Sequence, residues 1–380
     1  MRKGWKKCKI KDIADIVMGQ SPPSSTYNEE GKGLPFYQGV VDFGHRFVTP
    51  RVFCTEPKKI IDENYVLLSV RAPVGEVNLT SEKCSIGRGN AGLKAKNGQK
   101  LFLYYLLKYN MNNLKNSSEG TVFASINKST IENLEIEIPE SLEEQKAIAA
   151  VLSSLDDKID LLHRQNKTLE SMAETLFRKW FIEDANENWE KYKIGDKLEV
   201  LLGGTPSTKK PEYWNGKIPW INSGEINKFR ILEPTKYITQ AGLDNSSTKL
   251  FPKGTTVLAI TGATLGQVSR LEIDACANQS VIGIIGNEEF SNEYIYLWIK
   301  HYIKDIISNQ TGGAQQHINR NDVKNAIILK PDKVVYEKVM NLVKPIFDKI
   351  SKNSFQIRTL EQLRDTLLPK LMSGQVRVRI

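Results

Sequence analysis

Three segments of the chain carry residue types at spacings that could do chemistry. Gly87-Arg88-Gly89-Asn90-Ala91-Gly92 has the glycine spacing of a loop that cradles a dinucleotide pyrophosphate. That role needs a helix to open directly after the loop, and Leu93-Lys94-Ala95-Lys96-Asn97-Gly98 opens none. Ser21-Pro22-Pro23-Ser24 has the paired prolines with which adenine methyltransferases hold their base, but not the leading acid or amide or the trailing aromatic, so it reads as a turn. Glu144-Gln145-Lys146 has the Glu-x-Lys spacing of nuclease metal sites; with no partner acid nearby in sequence it reads as the surface of a helix. No Walker loop, His-rich zinc motif or nucleophile elbow occurs. The chemistry that remains is recognition.

Loops rich in Gly, Ser, Thr, Asn and Gln supply it, because amides and hydroxyls read base edges while Lys and Arg bind phosphates. In the C-terminal half, Thr205, Ser207, Lys209, Lys210 and Tyr213 follow Gly203-Gly204, and Asn222 follows a short apolar run. Gln315, Gln316, His317, Asn319 and Arg320 precede the last strand. The N-terminal half places Gln20, Ser21, Ser24, Tyr27 and Gln38 at matching positions, with Arg71, Arg88, Thr121 and Ser125 further on. Gln315, Gln316 and Asn319 are the strongest base-reading candidates, since an amide can bond adenine bidentately. Lys209, Lys210, Arg320, Arg71 and Arg88 read as phosphate or structural cations, an arginine facing guanine being the exception. Any one of these residues alone fits an ordinary solvated loop better than a base-reading role; the pattern in both halves carries the reading.

These loops belong to a domain written twice. Trp5 to Pro22 reappears 184 positions later as Trp189 to Pro206, Val66 and Gly75 reappear as Val257 and Gly266, and Ile126-Asn127 as Ile318-Asn319. Thr168-Leu169-Glu170 closes the series against Thr359-Leu360-Glu361. A period this long marks duplication of a whole domain. Each copy combines short strand-like runs (Tyr65 to Val70, Leu134 to Ile138) with one apolar helical run (Leu101 to Leu107, and Tyr294 to Ile303). After Pro139 the texture changes. Leu152, Leu155, Ile159, Leu162, Asn166, Leu169 and Leu176 step by four and three, and Ile346, Ile350, Asn353, Ile357, Leu360 and Leu367 do the same in the second copy. Pro345 is expected to kink that second helix or mark its start. Two such seams on one chain predict an antiparallel coiled coil about 60 Å long at about 1.5 Å per residue, with Asn166 and Asn353 either setting register or facing solvent. The fold expected is therefore α+β: two tandem mixed α/β recognition domains, residues 1–140 and 185–332, separated by two long helices in 141–184 and 333–380.

Composition sets outer bounds. Lys and Arg number 53 against 44 Asp and Glu, a net charge of +9, which favours a polyanionic partner without requiring one. Four scattered cysteines and four histidines argue against a disulfide framework or a zinc ribbon and for a reduced, cytoplasmic setting. No apolar run approaches a membrane span, and the N-terminus lacks a signal-peptide pattern, so no membrane is expected.

The chain resembles the specificity subunit of type I restriction-modification systems along essentially its whole length. Ile136-Glu137-Ile138-Pro139 through Glu144-Gln145-Lys146-Ala147-Ile148-Ala149, then Leu152 to Asp160, look like that family's strand-to-helix junction. Leu176-Phe177-Arg178-Lys179-Trp180-Phe181 looks like the end of its central helix, and Leu367 to Val378 like its C-terminal signature. Two points depart from the pattern: Tyr336-Glu337-Lys338 stands where Glu-Gln-Lys is expected, and Pro345 falls inside the second helix. The resemblance implies two target-recognition domains, each binding one half of a split, asymmetric double-stranded DNA site, with the helices acting as ruler. It also implies two modification subunits that carry S-adenosylmethionine and methylate adenine, and restriction or translocase subunits that use ATP and Mg. It places no cofactor, metal or catalytic residue on this chain. The rival expectations are an RNA-binding or structural scaffold and a self-contained nuclease or methyltransferase.

Overall fold

The computed structural model describes residues 4–117, 125–308 and 317–379. The chain forms two compact units, one of Met1–Leu161 with Ile357–Ile380 and the other of Leu162–Gln356. Each unit contains one mixed α/β head and one stretch of each long helix.

In the first unit, Trp5–Lys9 pairs antiparallel with Glu135–Pro139, bringing the two ends of the head together. A four-stranded sheet runs in the order Ala14–Met18, Asn90–Ala95, Tyr65–Ser69, Val77–Leu79. A second, smaller sheet is centred on Leu34–Tyr37 and Cys84–Ile86, which pair in parallel. The second unit repeats this plan. Glu190–Lys193 pairs with Ile327–Lys330, the four-stranded order is Glu199–Leu202, Val281–Ile285, Thr256–Ala259, Val268–Arg270, and the parallel pair is Trp214–Ile221 with Ala275–Ala277. Equal strand order, sense and register are what duplication of one domain predicts.

The two apolar helical runs become Lys100–Ser117 and Asn292–Ser308. Phe102 to Leu107 are all buried, so this stretch of the first helix is enclosed on every side rather than amphipathic. The Gly87 to Gly92 segment opens a strand, Asn90–Ala95. A Cβ on Gly89 would stand 2.2 Å from the Gln38 carbonyl oxygen, so that glycine permits close backbone approach within the head.

The first long helix spans Leu142–Arg178 and ends in a π turn, Lys179–Glu183; the second spans Lys333–Met372. The second starts well before Pro345 and continues through it, so Pro345 does not mark its start. Pro345 is exposed, on a face where its ring meets solvent rather than a packed neighbour. In the first unit Asp156 meets Arg364 at 2.8 Å and Glu144 meets Arg377 at 2.6 Å. In the second, Asn353 Nδ2 donates to Asn166 Oδ1 at 3.0 Å and Asn166 Nδ2 to Ser354 Oγ at 3.3 Å. In the second unit Asn166 lies beside Asn353 and Phe181 packs on Tyr336; in the first Asp156 meets Arg364 while Asp160 and Glu361 share His45. Numbers therefore rise on one helix as they fall on the other, and the helices run antiparallel. Asn166 and Asn353 are buried and bonded to each other, so neither faces solvent.

The buried face drifts along the helices. Leu152, Ile159, Leu162, Ile350 and Ile357 are buried as expected, whereas Leu155, Leu169, Leu176, Ile346, Leu360 and Leu367 are only half-buried. Phe177, Phe347 and Leu368, each one residue on from an expected seam position, take the inner place. A helix of 3.6 residues per turn outruns a 3.5-residue repeat once a head packs against it and widens the apolar stripe.

Glu144 and Gln145 are also buried, not on the helix surface as expected. Glu144 is held by Arg377 from the C-terminal tail; Gln145 donates to the Pro139 carbonyl at 2.8 Å and accepts from Asn97. Among the described residues no helix is long and apolar enough to cross a membrane.

Candidate nucleic-acid interface

In each head, six backbone hydrogen bonds build the same lip at one end of the sheets. In the first head Gly19 N donates to Asn90 O, Gln20 N to Ile86 O, Gly87 N to Tyr37 O, Asn90 N to Gly87 O, Val70 N to Gly89 O and Ile126 N to Val70 O, all between 2.8 and 3.0 Å. The second head repeats them between 2.8 and 3.2 Å: Gly203 N to Val281 O, Gly204 N to Ala277 O, Asn278 N to Ile221 O, Val281 N to Asn278 O, Ile260 N to Ser280 O and Ile318 N to Ile260 O. Gly19 and Gly203 are glycine for a steric reason. A Cβ on either would lie 2.1 Å from the carbonyl oxygen of Gly87 or Asn278.

This lip gathers part of the expected set. In the first head Gln20, Ser21, Gln38 and Arg88 sit at the ends of adjoining strands, all exposed, and Ser21 Oγ accepts from Arg88 N at 3.3 Å. Arg71 and Ser125, both exposed, face each other across an isolated bridge next to Val70. In the second head Thr205 and His317 are exposed and Asn222 half-exposed at the matching places. Thr205 Oγ1 donates to Gln279 Oε1. Ser24 is exposed on the short turn Ser24–Thr26 in the adjoining loop, while Ser207, Lys209 and Lys210 are exposed along the corresponding loop of the second head.

Other expected residues have structural duties. Asn319 caps the helix Arg320–Asn325, its Oδ1 accepting from Asn321 N and Asp322 N, so one face of its amide is already committed. Arg320 Nε donates to the Val200 carbonyl at 2.9 Å. Asn222 caps the turn Ser223–Asn227 with Glu225 as reciprocal partner. Tyr27 packs on Phe36, ring centroids 4.8 Å apart, and donates its hydroxyl to the Pro22 carbonyl. Tyr213 is buried, with Lys210 Nζ on its hydroxyl oxygen at 2.9 Å. Thr121, Gln315 and Gln316 lie outside the described residues.

The residues that mount each head on the helices escaped sequence reasoning. Arg230 is buried, donates to Glu170 Oε2 at 2.7 Å and lies 3.7 Å from Glu272, which also receives Arg270 and the Ser351 hydroxyl. Glu170 further accepts from Tyr296 Oη and Lys300 Nζ, each at 2.7 Å. Burial works to raise the Glu170 carboxyl, but Arg230 and Lys300 overcome it and hold it below the usual carboxylate range. In the first unit Arg46, 184 positions before Arg230, is buried against Asp157, and Tyr105 donates to Asp156 at 2.6 Å. His45 stands between Asp160 and Glu361, 3.4 Å from each; these hydrogen bonds push its imidazole up to about 9 against the effect of burial. The signal was present in the repeated Thr-Leu-Glu segment, since Glu170 and Glu361 are its two carboxylates.

The arrangement has counterparts among known proteins. The family model of the type I restriction modification DNA specificity domain matches residues 2–171 and again 186–356. The type I restriction enzyme MjaIX specificity subunit of Methanocaldococcus jannaschii is 28% identical over 409 residues, spanning 99% of this chain and 94% of that one. The putative MjaX specificity subunit of the same organism is 44% identical over 158 residues, 41% of this chain and 37% of the relative. The crystal structure of a type I restriction-modification S subunit from M. genitalium has the same fold, with a TM-score of 0.62 at 19% identity over 97% of this chain and 96% of that one. Built as two copies of that domain on paired long helices, the chain belongs to the type I restriction-modification DNA specificity subunits.

Proposed function

We propose that the chain reads a bipartite, asymmetric duplex DNA site, one half with each head, and performs recognition without catalysis. The observation that carries this reading is the lip: one backbone frame built twice, with different exposed side chains on it. A shared frame fixes how each head meets the duplex, and unlike side chains make the two half-sites differ. Residues 1–140 and 185–332 are the reading domains; 141–184 and 333–380 set the spacer and dock two modification subunits. Those partners carry S-adenosylmethionine, and restriction or translocase subunits bring ATP and Mg. Lys209, Lys210 and Arg71 contribute phosphate contacts, in keeping with the net charge of +9.

Mapping methylated adenines in cells that express the chain with its modification partner tests this. A single motif of two unlike halves with a constant gap is expected. A continuous motif, or none, refutes it. Affinity for a duplex carrying that motif falls steeply with salt, and the purified chain alone, given DNA, S-adenosylmethionine and magnesium, shows no turnover.

A further inference from the structure

The two lips share one position at which their chemistry differs. In each head a four-residue turn links the parallel-paired strand to the central strand: Gly87-Arg88-Gly89-Asn90 in the first, Asn278-Gln279-Ser280-Val281 in the second. Both turns close with the same hydrogen bond, Asn90 N to Gly87 O at 3.0 Å and Val281 N to Asn278 O at 3.1 Å. Their second residues, Arg88 and Gln279, are exposed. Each meets a hydroxyl from the equivalent neighbouring loop: Ser21 at the Arg88 amide, Thr205 at the Gln279 side chain. No carboxylate among the described residues pairs with Arg88, whereas Arg46, Arg230, Arg270, Arg364 and Arg377 are all engaged in ion pairs.

We infer that Arg88 and Gln279 are equivalent base-reading residues, Arg88 recognising a guanine in one half-site and Gln279 an adenine in the other. An arginine fork spans guanine O6 and N7, and a glutamine amide spans adenine N6 and N7. The Thr205 hydroxyl takes one lone pair of Gln279 Oε1 and so orients the amide, leaving the other lone pair for adenine N6–H and the NH2 for N7. The turn is pinned at both ends by backbone bonds, so each side chain reaches the groove from a fixed base, and little conformational entropy is lost on binding. The inference rests on the two-head reading proposed above.

The test swaps the two residues. The full chain, with its partners, is used to select duplexes from a randomised library, as wild type and as Arg88→Gln, Gln279→Arg and Arg88→Lys. Wild type is expected to select a bipartite motif; failure at that step refutes the two-head reading itself. Given that motif, Arg88→Gln should change one base pair of one half-site from guanine towards adenine, with a preference shift of roughly ten- to a hundredfold. Gln279→Arg should do the reverse in the other half-site, and Arg88→Lys should weaken guanine preference without creating one for adenine. Unchanged motifs overturn the assignment. So does equal weakening at every sequence with a shallower salt dependence, the signature of a phosphate contact. Should a swap fail to fold, Arg88→Ala and Gln279→Ala must each erase preference at one base pair only, and loss across a whole half-site also overturns it.

Discussion

Replacing Arg230 by Met in the second unit, and Arg46 by Met in the first, compares two arginines at matching repeat positions whose partners differ in burial. The Arg230 side chain is 1% exposed, with Glu170 at 7% and Glu272 at 0%. Removing the cation leaves two buried carboxylates short of a partner, and breaking a buried pair costs about 3–5 kcal/mol. Lys300 remains on Glu170 and Arg270 on Glu272, so the lower end, about 3 kcal/mol, is expected. Arg46 is as buried, but its near partner Asp157 is 70% exposed and rehydrates once released, while its second partner Asp160, 3.6 Å away and 23% exposed, keeps His45. Methionine fills the vacated space, and the loss there should be about 1 kcal/mol or less. Urea titration followed by tryptophan fluorescence reads the second unit, which holds Trp180, Trp189, Trp214, Trp220 and Trp298, leaving Trp5 in the first. Amide exchange in the strands Tyr65–Ser69 and Asn90–Ala95 reads the first. A loss below about 1 kcal/mol for Arg230→Met, or equal losses for both variants, would refute the argument that partner burial sets the cost.

His45 makes the first unit sensitive to pH. Its folded pKa, about 9, lies above the ordinary 6.5, so its contribution to stability is complete below about 6.5 and disappears as pH rises through about 9. Midpoints of wild type and His45→Gln should therefore differ at pH 6 and converge by pH 10, and a constant gap would show that His45 acts through packing. Asn353→Leu leaves Asn166 Oδ1 buried without its donor and should cost about 1–3 kcal/mol; adding Asn166→Leu should recover stability while loosening register, seen as extra oligomeric species in sedimentation. Phe177→Ala, which removes a ring packed on Tyr294 and Trp298, should cost about 3–5 kcal/mol in the second unit. Arg377→Met strips the tail cation from buried Glu144 and should raise amide exchange where Trp5–Lys9 pairs with Glu135–Pro139.

The sequence by itself determined the duplication, the two long helices and the class of the heads, because each leaves a local or periodic mark. Leucines and isoleucines stepping by four and three report a helix and its partner face before any coordinates exist, and matched segments 184 residues apart report a copied domain. Even so, periodicity placed the seam one residue away from Phe177, Phe347 and Leu368, because the heads that widen the buried stripe contact the helices through residues far away in the chain. The tertiary structure alone decided which loop residues stand together. Ser21 meets Arg88 across 67 positions and Thr205 meets Gln279 across 74, and no window of sequence contains both members. It also separated look-alikes. Asn319 caps a helix while Gln279 stands exposed on a pinned turn; Arg320 holds a carbonyl while Arg88 pairs with no carboxylate among the described residues. Residue type sets which bonds a side chain is able to make, but whether those bonds are already used within the head depends on long-range packing.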